Sequence, residues 1–279
     1  MKRARIVFWV LFAVILIWTL WGNTAIRLNQ ITVASDVLPE AFDGFRIAHV
    51  SDLHNAQFGR GNEKLLKKLR EVSPDIIAVT GDLVDSRRTD IAVALEFMEV
   101  AMEIAPCYYV TGNHEARISG YNDMKRVLQE LGVTVMENKR VDLERNGQSL
   151  ALLGIDDPNF AHDGRYGDNW VVTSARIGEL WQEGDPFAVL LSHRPELFDT
   201  YVDSGVDLVL SGHAHGGQFR LPFVGGLYAP GQGFFPQYDA GVYTEAGTTM
   251  IVSRGLGNSA FPLRFNNRPD LILITLKTQ

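Results

Sequence analysis

Five short apolar runs, each followed by a motif rich in Asp, His or Asn, constrain this chain more than any other feature. They are FRIAHV (45–50), DIIAVT (75–80), CYYVT (107–111), FAVLL (187–191) and DLVLS (207–211). Runs this short, and this rich in Val, Ile, Leu, Ala and Tyr, suit strands covered on both faces. Helical patterns separate the first three. Asn62 can cap a helix whose Leu65, Leu66 and Leu69 share a face, Thr89 or Asp90 can start one running to about Glu103, and residues 121–131 form a third that Gly132 stops. Strand–helix–strand connections imply parallel, right-handed units. From residue 139 the character changes. Asn146–Gly147 between alternating runs reads as a hairpin turn, and 241–245, 248–253 and 271–276 read as strands. The stretch 216–240, rich in Gly, Pro and aromatics, reads as an ordered loop.

The runs continue as SDLH (51–54), GDLVD (81–85), GNHE (112–115), SHRPE (192–196) and SGHAHGGQ (211–218). Open parallel sheets bind ligands beyond the carboxyl ends of their strands, so five pieces of chain would deliver polar side chains to one rim. Of seven histidines, five fall in these motifs. Asp52 and His54 are two residues apart, as are His213 and His215. In extended chain such pairs point to one side, and each pair can face one metal cluster, with two neighbouring ions able to share the second pair. Asp82 follows Gly81, which permits close backbone approach. A set of Asp, Asn and His without Cys suits Mn²⁺, Fe or Zn²⁺ better than Ca²⁺.

Composition narrows the classes. With 279 residues, 46% hydrophobic and 21% charged, the chain can bury a core and is neither disordered nor fibrous. Its one cysteine, Cys107, excludes a disulfide framework and a cysteine-cluster zinc site and reads as a small buried apolar residue. The formal net charge is −7, and residues 1–22 hold +3 with no acid, leaving −10 on the rest. A body this acidic repels a phosphate backbone, so no nucleic-acid partner is expected. The sequence holds no oligomerisation signal.

The N-terminus reads as a membrane segment. Ile6–Trp21 has one polar residue, Thr19, in sixteen. At ~1.5 Å per residue it spans about 24 Å, and extension through Thr24–Ala25–Ile26 or bilayer thinning reaches the ~30 Å hydrocarbon thickness. A cleaved signal peptide is the competing reading, with Gly22–Asn23–Thr24–Ala25 a weak cleavage match. Lys2, Arg3 and Arg5 precede the span and only Arg27 follows closely. The N-terminus is therefore expected in the cytoplasm and the body outside, as a single-pass protein of the cell (inner) membrane. No adjacent Arg–Arg pair supports twin-arginine export.

D-x-H, G-D, G-N-H-E, a lone His and G-H-x-H, in this order, resemble the calcineurin-like metallophosphoesterase superfamily over residues 44–218. The GHAHGGQ form and the anchor are similar to its membrane-anchored bacterial YkuE/YaeI-like branch. The resemblance implies a four-layer α/β/β/α sandwich at 30–279, after a cytoplasmic stub and transmembrane helix at 1–29. It implies two divalent ions, one on Asp52, His54, Asp82 and His215, the other on Asp82, Asn113, His193 and His213, with Asp82 bridging. His114 then faces the substrate as transition-state stabiliser or general acid. The implied reaction is in-line attack of a metal-bridging hydroxide on phosphorus, with a phosphodiester the favoured substrate. A lipid-linked pyrophosphate such as UDP-diacylglucosamine is the alternative within enzymes, and a metal-binding scaffold the alternative outside them.

Other residues read less sharply. Arg194 and Arg254 can grip a substrate phosphate through bidentate guanidinium bonds. Glu115 either orients His114 or starts the next helix. Asp156 and Asp157 read as a turn before Pro158, with a contact to the site as the alternative. His49 reads as a core histidine and His162 as an exposed loop residue.

Overall fold

The computed structural model describes residues 2–161, 169–182 and 184–279; His162 lies outside them. The body is built on two six-stranded sheets. The first runs β1 (Arg27–Ser35), β16 (Asp270–Thr278), β2 (Arg46–Val50), β3 (Ile76–Thr80), β4 (Cys107–Val110), β5 (Thr134–Val135). The second runs β14 (Gly241–Glu245), β15 (Thr248–Val252), β9 (Leu208–Ser211), β8 (Ala188–Leu191), β7 (Gln148–Gly154), β6 (Lys139–Arg145). Within them β2, β3, β4 and β5 are mutually parallel, as are β7, β8, β9 and β15. The parallel strands carry the uninterrupted apolar runs because both faces are covered: every residue of β3, β8 and β9 is buried.

Three apolar clusters make this a four-layer α/β/β/α sandwich. Helices α2 (Glu63–Val72), α3 (Ile91–Met102) and α4 (Tyr121–Glu130) pack Leu65, Leu69, Phe97, Met98 and Leu128 on the outer face of the first sheet. Ile47, Ala78 and Ile272 of the first sheet meet Leu152, Val189 and Leu210 of the second in the centre. Ile177 of α5 (Asn169–Leu180) and Phe198 and Tyr201 of α6 (Phe198–Ser204) cover Leu190 and Val209 on the far side.

The hairpin falls at Asn146 (φ 51°) and Gly147 (φ 77°), the mirror-image turn that Asn-Gly favours. The expected cap on α2 is different: Asn62 sits at φ 59° and its Oδ1 accepts from the Phe58 N–H, bracing the loop before the helix. The stretch 216–240 holds two minimal hairpins, β10 (Arg220–Leu221) with β11 (Gly225–Gly226) and β12 (Tyr228–Ala229) with β13 (Gly233–Phe234).

Ahead of the body, α1 (Lys2–Thr24) is long and apolar enough to cross a membrane, and none of its residues is buried. At ~1.5 Å per residue it measures about 35 Å. It is longer than the apolar run because the flanking Lys2–Arg5 and Gly22–Thr24 are also helical. A division between residues 29 and 30 falls inside β1, whose Arg27 is already paired with Asp270.

Candidate metal centre

The carboxyl ends of β2, β3, β4, β8 and β9 converge on one rim, where the two sheets meet. Backbone bonds lock them together: Asp52 N–H to the Gly81 carbonyl, His54 N–H to the Asp82 carbonyl, and Gly212 N–H to the His193 carbonyl. Gly81 (φ 84°) is needed here because a Cβ would strike the backbone of Gly112, so the two glycine loops touch main chain to main chain.

On that rim Asp52, His54, Asp82 and His215 offer ligand atoms within 4.8 Å of one another, and Asp82, His193 and His213 form a second such group. One oxygen joins them. Asp82 Oδ2 lies 3.4 Å from His54 Nε2 and 3.3 Å from His193 Nε2. Asp52 Oδ1 lies 3.4 Å from His215 Nε2, and the His54 and His215 Nε2 atoms face each other at 3.1 Å. All these residues are buried, and so is Asn113.

Local backbone brings the candidate ligands together, though not by strand pleating. Asp52, His54, Asp82, His213 and His215 all have positive φ, between 46° and 63°. The i, i+2 pairs converge through left-handed turns, a conformation that Asp and His tolerate better than branched residues. Such positions cost of order 1–3 kcal/mol each and persist where surroundings over-determine them. Here the surroundings are hydrogen bonds to the ligands. Ser51 Oγ and His213 N–H donate to Asp52, and His114 N–H donates to Asp82 Oδ1 at 2.8 Å. His193 Nδ1 donates to the Thr80 carbonyl at 2.7 Å, which turns its Nε2 toward Asp82.

The residues fit divalent cations. Among the described residues Asn113 Oδ1 and His193 Nε2 are buried without a hydrogen-bond partner, although buried polar atoms normally have one. The electrostatics agree. Burial alone would raise Asp82, but the imidazoles of His193 and His54 hold it well below the carboxylate range. Burial works against a charge on His193, and Asp82 outweighs it, lifting the imidazole to about 10. Burial pushes His215 down to about 3 against the pull of Asp52. Two buried carboxylates thus draw positive charge into the cluster, and His215, held neutral, offers a lone pair.

His114 stands beside the cluster, its ring 4.5 Å from that of His54. The Ser86 N–H donates to its Nδ1 at 2.9 Å, so the ring proton belongs on Nε2. Burial lowers its pKa to about 4. A cleft of about 560 Å³ opens over Asp82, Asn113, His114 and His213, walled by Arg87, Arg117 and Arg194.

The two arginines singled out from sequence part company. Arg194 lines the cleft, but its guanidinium is held by both carboxylate oxygens of Asp157, and Nη1 lies 3.2 Å from His213 Nε2. Arg254 does not line the cleft; it borders a separate cavity at the foot of α1. Glu115 accepts from the N–H groups of Asp82 and Gly112 at 2.9 and 2.8 Å and ties the two loops together. Asp156 accepts from Thr111 Oγ1, and His49 is buried with Nε2 on Thr80 Oγ1. Several contributors escape a reading of the sequence alone. Asp85 stands behind His54, Arg87 and Arg117 face the cleft, and buried Arg264 reaches His215 Nδ1 at 3.3 Å. Asp85 and Arg87 are within reach as the polar tail of GDLVD; nothing local marks Arg264.

Residues 45–217 match the family described as Calcineurin-like phosphoesterase. A Bacillus subtilis (strain 168) protein named Uncharacterized metallophosphoesterase YkuE is 31% identical over 260 residues, 91% of this chain and 86% of that one. A Danio rerio protein named Transmembrane protein with metallophosphoesterase domain is 28% identical over 90% of this chain, which spans 57% of that longer protein. Among solved structures, TT1561 of Thermus thermophilus shares the fold at TM-score 0.52 and 16% identity, over 76% of this chain and 90% of that one.

Proposed function

From the premise that this chain belongs to the calcineurin-like phosphoesterase family, a group of phosphoric-ester hydrolases, we propose that it is a dinuclear phosphodiesterase held to a membrane by α1. The observation that carries the reading is the single oxygen of Asp82 placed between His54 and His193. On this reading Asp52, His54, Asp82 and His215 hold one ion, and Asp82, Asn113, His193 and His213 hold the other. Mn²⁺, Fe and Zn²⁺ suit the donors. Bound there, such ions supply an acidified water as nucleophile and positive charge for the phosphoryl oxygens.

The chain does the rest. Its backbone holds the ligands before substrate arrives. Arg87 and Arg117, exposed on the cleft wall, draw in the anionic phosphoester; Arg194, engaged by Asp157, positions His213. His114 Nε2–H, now 3.2 Å from Ser259 Oγ, would turn to the phosphoryl or leaving-group oxygen as a neutral donor, which favours charge stabilisation over proton delivery. The domain division we adopt is anchor through α1 and catalytic body from β1 onward. We place the N-terminus in the cytoplasm and the body outside, from the basic residues ahead of α1.

The test uses the full chain in detergent with Mn²⁺, on bis-p-nitrophenyl phosphate and p-nitrophenyl phosphate. The diester should be cleaved faster. Asp82→Ala should lose metal and activity together; His114→Ala should keep metal and lose kcat by roughly 10²–10³-fold. Two bound ions with no cleavage of either ester would favour the scaffold.

A lipid-borne phosphoester is the second reading. Trp170, Tyr228 and Phe261 line the cleft with exposed rings, and Phe223 and Phe234 of the neighbouring hairpins face outward. Faster cleavage of a diester in mixed micelles than of its soluble counterpart would select this reading. UDP-diacylglucosamine is one such candidate; a C-terminal reporter fusion placing the body outside would argue against it.

A further inference from the structure

The carboxyl end of α1 is clamped to the body. Asn23 Nδ2 donates to the Arg264 carbonyl at 2.9 Å, and Asn23 Oδ1 accepts the Arg264 N–H at 2.8 Å. Arg268 donates to the carbonyls of Ala25 and Ile26, and its guanidinium lies 4.8 Å from the centre of the Trp21 ring. Beside this clamp, apart from the cleft over the metal centre, is a cavity of about 320 Å³ bordered by Trp18, Trp21, Arg27, Arg254, Arg264 and Arg268.

Four guanidinium groups around one cavity need an explanation, because like charges repel. Two are satisfied within the protein: Arg264 donates to Asn258 and to the carbonyls of Arg254 and Gly257, and Arg268 to the α1–β1 link. Among the described residues the side chains of Arg27 and Arg254 have no hydrogen-bond or ion-pair partner. The acids are few. Asp270, buried with Oδ1 unpartnered among the described residues, is one negative charge shared by Arg27, Arg254 and Arg264, and Asp239 is engaged by Arg220 at 2.9 Å. Burial, then the positive charge of Arg220, pushes Arg254 below its ordinary value, against the pull of Asp270.

Depth identifies the missing anion. Trp18 and Trp21 are exposed on the last turns of α1, where indoles mark the interface between hydrocarbon and water. That is the level of phospholipid phosphates, and basic pockets beside membrane helices suit anionic head groups. Guanidinium binds phosphate oxygens bidentately, and a zwitterionic head group would bring an ammonium into the same positive field. We infer that this cavity binds the phosphate of an anionic phospholipid, between the guanidinium groups of Arg27 and Arg254 and beside the indoles of Trp18 and Trp21. The inference rests on reading α1 as a membrane span. The lipid site adjoins the metal centre: Asn267, on the same cavity wall, donates to the His215 carbonyl at 2.7 Å.

The experiment uses the full chain in dodecylmaltoside, with dioleoylphosphatidylglycerol, dioleoylphosphatidylcholine or sodium phosphate added, with and without EDTA. Unfolding temperature and bound lipid by native mass spectrometry are read together. Phosphatidylglycerol should raise the unfolding temperature and stay bound one to one, in EDTA as well; phosphatidylcholine and sodium phosphate should do neither. Arg27→Gln with Arg254→Gln should weaken phosphatidylglycerol binding at least tenfold. The Arg27→Lys, Arg254→Lys pair keeps the charge and should retain part of the binding, even if the Gln pair does not fold. Equal binding of phosphatidylcholine, full binding by the Gln pair, the whole effect from sodium phosphate, or loss of the effect in EDTA would each overturn the site. Release of the chain from membranes by carbonate would remove the span and the lipid site with it. Retention without preference for phosphatidylglycerol would remove the lipid site alone.

Discussion

Glu115 is the residue on which the loop geometry turns. Its carboxylate is fully buried and accepts from the backbone of both glycine loops. Burial, then the charge of Asp82, raises its pKa to about 7. Glu115→Ala orphans two buried N–H groups at ~1–3 kcal/mol each. We expect a loss of about 3 kcal/mol in urea unfolding, and weaker metal retention because Asp82 loses its brace. Asp156 gives a pH signature. Burial raises it from 3.8 to about 6, so between those values the folded state binds the proton that the unfolded state has released. Stability contributed at this position therefore falls as pH rises through that window, by about 3 kcal/mol in all. Relative to wild type, Asp156→Asn should gain stability across that same window by an amount of that order, read from urea midpoints. A flat difference would remove Asp156 as the titrating group.

Elements differ in how openly they announce themselves. The strands β2, β3, β4, β8 and β9 are legible because burial on both faces keeps them apolar up to the rim, Arg46 and His49 of β2 excepted, and the rim motifs then stand out. The Asn146–Gly147 hairpin is legible because the turn needs positive φ. Strand β1 is not: RLNQITVAS lies at a sheet edge, mostly unburied, and pairs only with β16, distant in sequence. The spacing of Asp52 and His54 does signal their convergence, but pleating is not its cause. Left-handed turns held by Glu115, Ser51 and the glycine contacts achieve it, and those contacts are long-range. Arg264 is illegible because its meaning depends on α1 docking beside it. That docking predicts a measurable effect. Asn23→Ala removes both bonds to Arg264, and we expect exchange of the Arg264 amide to quicken at least tenfold with little change in the unfolding temperature of the body. An unchanged exchange rate would show that the clamp lies elsewhere, at Arg268.

At the scale of the molecule, the sandwich concentrates its unfavourable features in one place: five candidate ligands with left-handed backbone, two of them buried carboxylates, on a rim shared by both sheets. Ligands that bind only the folded state stabilise it by ~2.7 kcal/mol per site at a hundredfold excess over Kd. If two ions bind, EDTA should lower stability by roughly 5 kcal/mol, about 10–20 °C in unfolding temperature for a body of this size. A single step in a Mn²⁺ titration of the unfolding temperature would argue for one ion. Asn23 has a further consequence for traffic to the enzyme. If α1 spans a membrane, its fixed joint with the body, in place of a slack tether, keeps the cleft at one height and heading above the bilayer. Molecules gliding sideways in the leaflet would meet it repeatedly at the same angle, whereas those tumbling in from the surrounding fluid would have to find a doorway that never swings toward them.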